Sequence, residues 1–161
     1  RSARVVNVVS GFASDYDPTD LQYQRRRYDG VKAYSATKLA LRMLTWGQAA
    51  RLEGRGITVN AAAPGFVQTG FNNNATGWKA TFIGLSARLF AVSPEKGADP
   101  PLWVAAAPEL AERTSRYFEG RKDKDGGFRD PAAIADLERQ CEALVPAARP
   151  ATVPSLGAEL R

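Results

Sequence analysis

The sequence predicts an α/β fold built on a parallel β-sheet, and three observations lead to this prediction. Two runs of strand length, ARVVNVVS at 3–10 and ITVNAAAP at 57–64, are largely apolar, as is typical of strands buried on both faces. Residues 31–55, which lie between them, show helical periodicity. Strand, helix and strand over about 60 residues predict a right-handed βαβ unit.

The length and composition limit what the chain can be. Its 161 residues are enough for one domain, and 44% hydrophobic with 24% charged residues is ordinary for a globular protein. No apolar run approaches the ~18–20 residues of a membrane span, and no secretory signal is present. Cys141 is the single cysteine, so we expect no internal disulfide, an inert thiol and a cytoplasmic location. Because the first residue is arginine and strand-like sequence follows at once, we expect a fragment of a longer protein.

The net charge of +5 is not accompanied by the other features of a nucleic-acid-binding protein. The basic clusters at 25–27 and 121–124 have no interleaved aromatic residues on which bases would stack. A chain with no histidine and one cysteine lacks the ligands of a zinc finger or of most metal sites. We therefore predict solvated charges, no nucleic-acid partner and no bound metal.

In the first half of the chain, prolines, glycines and polar residues predict where each element begins and ends. After the strand at 3–10, the segment 11–30 holds a proline, four aspartates and three arginines, which predicts a long loop. In the helix at 31–55 the apolar residues fall on neighbouring stripes, and two glycines close to residue 55 end it. A proline and a glycine then stop the strand at 57–64.

The second half is less regular. Residues 70–90 mix asparagines with large apolar residues and predict a loop with one or two short helices. Ser-Pro-Glu opens a helix at 93–107, despite two prolines near its first turns, and 116–120 is a short last strand. An Asp-Pro cap opens a final amphipathic helix at 130–144. These elements predict one domain over 1–145 and a flexible tail over 146–161.

Tyr34 and Lys38 are the residues whose spacing suggests chemistry. A tyrosine four residues before a lysine places both side chains on one helix face, although chance alone gives this spacing in roughly one such chain in five. The position of the pair is more informative, because it lies in the first turns of the helix and Ser10 ends the preceding strand. Ligands of open α/β sheets bind beyond the carboxyl ends of the strands, where these residues and the turn at 64–69 would meet.

Four segments, in order and spacing, resemble the C-terminal half of a short-chain dehydrogenase/reductase. They are RVVNVVS, AYSATK, GITVNAAAPGFVQT and SPEKGADPPLWVAAAPE with RYFEG. The resemblance covers residues 4–122 and extends more loosely to 144. The long interval from Ser10 to Tyr34 and the stretch YDGVKAYSATKLA are most similar to the retinol-dehydrogenase-like branch. The resemblance implies part of a Rossmann-type doubly wound parallel sheet, with about three strands and flanking helices.

The same resemblance implies an active site made of Ser10, Tyr34 and Lys38. Tyr34 would be the general acid or base on the substrate oxygen, and Ser10 would hold that oxygen. Lys38 would bind the nicotinamide ribose and favour ionisation of the Tyr34 phenol, since a unit charge ~4 Å away supplies about 4 kcal/mol at an effective dielectric of 20. The cofactor would be NAD or NADP, with contacts from Tyr34, Lys38, Pro64, Gly65, Val67 and Thr69.

The large apolar residues of the segment 70–90 suggest a substrate class. We expect Phe71, Trp78 and Phe82 to contact a lipophilic alcohol or carbonyl compound beneath a mobile lid at 70–90. We include a homo-oligomer of the full-length protein among the expected partners.

This sequence departs from the family pattern in several places. The Thr-Gly-x-x-x-Gly-x-Gly turn that binds the pyrophosphate and the Asn-Asn-Ala-Gly segment are absent from it. Ala63 stands where the retinol-dehydrogenase branch often has histidine, and Val9 stands where a second serine is common. We therefore expect the isolated chain to be inactive.

Two other functions stay open. A sugar-nucleotide epimerase of the extended relatives also uses a Tyr-Lys pair, although NAAAPGFVQT and the short C-terminal region argue against it. A non-catalytic remnant or interaction module that keeps the fold is the alternative from a different functional class.

Overall fold

The computed structural model of the protein describes residues 3–65, 67 and 92–148. In this part of the chain, four strands form one sheet in the order β1 (Ala3–Val8), β2 (Ile57–Ala63), β3 (Tyr117–Glu119) and β4 (Lys122–Lys124). The helices are α1 (Gly30–Arg51), α2 (Pro94–Ala106) and α3 (Pro131–Ala148), and a short 3₁₀ turn spans Pro108–Leu110. β1, β2 and β3 run parallel, and β4 runs antiparallel to β3.

The predicted βαβ unit is confirmed by the pairing of β1 with β2. The two strands are parallel and in register from Ala3 opposite Ile57 to Val8 opposite Ala62. α1, which connects them, begins at an N-cap: the Asp29 carboxylate accepts hydrogen bonds from the backbone N–H groups of Val31 and Lys32. The helix ends at Arg51, four residues before the predicted end, because residues 52–56 already form the turn that leads into β2.

The small residues of β2 separate two apolar cores. Ala61 and Ala63 face one side of the sheet and Ala62 faces the other, and all three are 0% exposed. On the first side they contact α1 and α3 through residues such as Leu39, Met43, Trp46, Ile134 and Leu137. On the second side they contact α2 and β3 through Val104 and Phe118. The alternation follows from the two-residue period of a strand, and it places a helix on each face of the sheet.

Two features of the C-terminal part differ from the predicted elements. β4 was not predicted, because Lys122–Lys124 is charged and fully exposed and has no apolar alternation. α3 begins at Pro131 as predicted, where the carboxylate of Asp130 accepts a hydrogen bond from the N–H of Ala132. It continues to Ala148 rather than to 144, and residues 149–161 of the predicted tail lie outside the described residues.

Candidate active site

Ser10 lies just beyond β1, at the carboxyl edge of the parallel strands. The hydrogen bonding between β1 and β2 extends to the N–H of Val9, which donates to the Ala62 carbonyl at 2.9 Å. The Ser10 side chain is half-buried, and its Oγ accepts a hydrogen bond from the N–H of Phe12 at 3.1 Å. This local bond is characteristic of a serine that begins a turn, so the hydroxyl is placed by the turn that follows the strand.

Lys38 brings the first turns of α1 to the same edge. Its Nζ donates a hydrogen bond to the Val8 carbonyl at 3.1 Å, and it lies 5.8 Å from the centroid of the Tyr34 ring. That distance is within the range of a cation–π contact. Three polar groups therefore belong to the region where β1 ends: the Tyr34 phenol, the Lys38 ammonium group and the hydroxyl of Ser10, which is two residues beyond Val8. The structure thus brings the predicted residues to one edge, and their chemical roles stay predictions.

Arg42 was not predicted from the sequence, although it contacts this site. It lies one helical turn beyond Lys38, and its Nη2 donates to the Ser10 carbonyl at 2.5 Å while its Nη1 donates to the Gly126 carbonyl at 3.1 Å. The side chain is only 7% exposed. The signal available in the sequence was the four-residue spacing that continues the line of Tyr34 and Lys38 along one face of α1.

The loop between β1 and α1 is held together by a buried carboxylate. Asp20 is 7% exposed and accepts hydrogen bonds from the backbone N–H groups of Gln24, Arg25 and Arg26 at 2.7–3.3 Å. Burial opposes ionisation of Asp20 most strongly, yet these N–H groups together hold the pKa of its carboxyl below the ordinary value. The segment that leads into Tyr34 therefore has a defined conformation.

The turn after β2 contributes the remaining predicted positions that the structure describes. Gly65 has φ of 82°, a conformation that favours glycine, and a Cβ built on it would have no atom within 4 Å. Among the described residues, none therefore occupies the space into which a side chain at position 65 would project. Val67 forms a parallel bridge with Val92, which ties the turn to the segment before α2. Thr69, Phe71, Trp78 and Phe82 lie outside the described residues.

Arginines of the two predicted basic clusters form ion pairs with aspartates. Arg26 lies 3.7 Å from Asp17 and 3.6 Å from Asp20, and Arg121 pairs with Asp99. Within residues 3–65, 67 and 92–148, no group of three or more histidine, cysteine, aspartate and glutamate side chains is placed to hold a metal ion. None of the described helices is long and apolar enough to cross a lipid bilayer.

Sequence similarity links this arrangement to known proteins. The family model for short chain dehydrogenases matches residues 2–80, the segment that contains β1, α1 and β2. Human retinol dehydrogenase 13 is 35% identical to the chain over 128 residues, an alignment that covers 76% of this chain and 39% of that protein. The chain thus spans well under half the length of this relative.

Solved structures share the fold. A protein of unknown function from Mycobacterium paratuberculosis superimposes with a TM-score of 0.62 at 23% identity, over 90% of this chain and 51% of that one. A proposed NAD(P)-dependent gluconate 5-dehydrogenase from Beutenbergia cavernae, solved with NADP at low occupancy, gives a TM-score of 0.51 at 25% identity, over 74% of this chain and 44% of that one. The predicted partial Rossmann-type α/β fold is confirmed. The family match over the βαβ unit and the identity to a retinol dehydrogenase show that the chain belongs to the short-chain dehydrogenase/reductase family, close to its retinol-dehydrogenase branch.

Proposed function

We propose that the protein carrying this chain is an NAD(P)-dependent oxidoreductase that interconverts an alcohol and a carbonyl compound by hydride transfer. One observation carries the proposal: Lys38 lies beside the Tyr34 ring and is hydrogen-bonded to Val8, at the strand end that leads into Ser10. This edge is where open α/β sheets bind their ligands. Ser10, Tyr34 and Lys38 are the residues to which the family resemblance assigns proton transfer at a carbonyl oxygen.

In alcohol oxidation, the Tyr34 oxygen takes the hydroxyl proton of the substrate while the carbinol carbon loses a hydride. In reduction, the Tyr34 hydroxyl returns that proton to the carbonyl oxygen. Ser10 donates a hydrogen bond to the same oxygen and orients it. Lys38 places a positive charge 5.8 Å from the centroid of the Tyr34 ring. A nicotinamide cofactor held beside Tyr34 and Lys38 would supply or accept the hydride.

The described residues fit the nicotinamide end of such a cofactor. Lys38 and Tyr34 offer an ammonium group and a hydroxyl, both suited to hydrogen bonds with a ribose. Among the described residues, none lies within 4 Å of a Cβ built on Gly65, and we propose that a planar carboxamide approaches the turn formed with Pro64 and Val67. Thr69 would extend this turn toward the phosphates. The proposed cofactor is therefore NAD or NADP.

A lipophilic substrate is the best supported class. The similar human protein is named for retinol, an apolar alcohol. In this chain, Phe71, Trp78 and Phe82 follow Thr69, the last residue of the proposed cofactor turn. Large apolar side chains at this position would form the wall of a pocket for an apolar alcohol rather than for a polyol.

Tyr34→Phe tests the proposal in the protein that carries this chain. The assay follows the nicotinamide absorbance with retinol and with a cyclic alcohol, using NAD and NADP in turn. We expect kcat/KM to fall by at least about 100-fold, because a positioned general acid–base typically contributes 10²–10⁴-fold, while cofactor affinity stays near that of the unmodified protein.

The matched control is Tyr28→Phe, which removes a hydroxyl from a tyrosine that is 70% exposed and should leave turnover unchanged. Retention of more than about a tenth of kcat/KM by Tyr34→Phe, a loss below ~1.4 kcal/mol, contradicts the general-acid role. No turnover and no nucleotide binding by the unmodified protein would instead favour the non-catalytic alternative.

A further inference from the structure

We propose that Arg42 is a positioning residue that fixes the main chain of Ser10 relative to Tyr34; this deepens the proposed function and rests on it. Arg42 lies eight residues after Tyr34 on α1, with Lys38 midway between them. Its guanidinium reaches across to the end of β1 and donates to the Ser10 carbonyl at 2.5 Å. One helix therefore carries the phenol and also holds the serine.

The surroundings of Arg42 show that its position is determined by more than this bond. Its second terminal nitrogen donates to the Gly126 carbonyl at 3.1 Å, and its Cζ lies 4.3 Å from the centroid of the Tyr117 ring. No carboxylate among the described residues forms an ion pair with it. A buried guanidinium must keep its hydrogen bonds because it has lost the solvation of water. Its planar donor geometry therefore fixes where the two carbonyls lie.

Ser10 needs such an anchor because it lies outside the regular sheet. The described bonding between β1 and β2 extends to the N–H of Val9, one residue earlier. The Ser10 hydroxyl oxygen accepts from the Phe12 N–H, which is a bond within its own turn. Among the described contacts, the bond from Arg42 is the one that ties the Ser10 main chain to the helix of Tyr34. A displacement of a catalytic group by about 1 Å can cost 10²-fold in rate.

The chain offers a matched control on the same β1–α1 interface, three residues before Ser10. Asn7 Nδ2 donates to Thr45 Oγ1 and to Gln48 Oε1, both at 3.0 Å. This contact also joins β1 to α1, but it involves no predicted site residue. Asn7→Ala therefore weakens helix–strand packing without releasing the Ser10 carbonyl.

The first test measures amide hydrogen exchange at Phe12, in the protein that carries this chain and without cofactor. Arg42→Gln and Arg42→Lys should speed exchange there, because the turn that holds the Phe12 N–H against Ser10 loses its anchor. Asn7→Ala should leave this amide unchanged. Arg42→Lys keeps the charge and the apolar stem, so it serves if Arg42→Gln fails to fold. Unchanged protection of Phe12 in a folded Arg42 variant overturns the proposal.

The second test is a double-mutant cycle with Ser10→Ala. Arg42→Gln alone should lower kcat by up to about 100-fold with cofactor KM nearly unchanged. In the Ser10→Ala background the same change should add little, because residues that act through one another are not additive. Additive losses, or an equal loss of kcat in Asn7→Ala, overturn the positioning role. If Tyr34→Phe keeps its activity, the proposed function fails, while the exchange test still decides whether Arg42 holds Ser10.

Discussion

Two cations on α1 bind backbone carbonyls at the end of β1 and just beyond it. Lys38 binds the carbonyl of Val8 and Arg42 binds that of Ser10. Backbone carbonyls that lack a partner in the sheet are commonly satisfied by side-chain donors. The two side chains therefore supply hydrogen-bond donors to the backbone on both sides of Val9.

Tyr34 and Lys38 were predictable because their spacing is local. Four residues make one turn of a helix, so their proximity follows from the sequence alone. The role of Arg42 was not predictable, because its partners at Ser10 and Gly126 are 32 and 84 residues away. An arginine on a helix is more often solvated, and only the fold shows that this one is buried.

Cys141 on α3 gives a prediction about pH. Burial, and then the neighbouring Glu138 carboxylate, raise the pKa of its thiol. Since a raised pKa means less thiolate near neutrality, we expect iodoacetamide to modify Cys141 more slowly in the folded protein than in the urea-unfolded chain, and the rate to rise as the pH increases. Mass spectrometry of the alkylated protein measures this. Equal rates in the two states would contradict the expected environment.

At the level of elements, the contact between α1 and α3 is close enough to exclude a methyl group. A Cβ on Gly47 would lie 2.9 Å from Ile134 Cγ2 and 2.8 Å from Glu138 Cδ. Both neighbours belong to α3, and Arg51 on α1 lies 3.6 Å from Glu138. The helices can approach this closely because position 47 has no side chain, so the residue sets their separation.

Gly47→Ala should therefore destabilise the protein although it improves helix propensity. The gain in propensity is about 1 kcal/mol, whereas overpacking of a well-filled site typically costs about 1–3 kcal/mol. We expect a net loss of stability, measured as a lower midpoint in urea. The control is Ala50→Gly at an exposed position of the same helix, which should cost about 1 kcal/mol by propensity alone. A higher midpoint for Gly47→Ala would show that α3 moves aside at little cost.

The strands differ in how well the sequence predicted them. β1 and β2 are runs of apolar residues flanked by polar or turn-forming segments, and such runs are recognisable without structural knowledge. β4 is three charged residues paired only with the equally short β3. Its formation depends on the position of β3 and not on any pattern of its own, so the sequence could not predict it.

At the scale of the whole molecule, the two faces of β2 pack against two different apolar cores. Ala61 and Ala63 belong to the cluster on the side of α1 and α3, and Ala62 belongs to the cluster on the side of α2. The sheet edge where β1 and β2 end carries all the described positions of the candidate site. The phosphate-binding glycine turn of the family, however, has no counterpart in the 161 residues.

We therefore expect the 161-residue chain by itself not to bind NADH or NADPH at micromolar concentrations. The backbone N–H groups of that glycine turn at a helix N-terminus normally anchor the pyrophosphate, and the nicotinamide contacts near Lys38 are too few to replace them. Titration followed by nucleotide fluorescence measures this. Tight binding of either nucleotide by the isolated chain would show that the Lys38 edge and the turn at 64–69 suffice.

The bond from Arg42 to Ser10 also has a consequence for thermal motion. Loop residues fluctuate on the nanosecond timescale, and an untethered Ser10 would move independently of a tyrosine on a helix. The carbonyl of Ser10 is hydrogen-bonded to the helix that carries Tyr34. A small displacement of α1 should therefore move Ser10 and Tyr34 in the same direction. The fluctuation of the distance between them is then smaller than the fluctuation of either group in space, so the pair keeps its geometry while the surrounding protein moves.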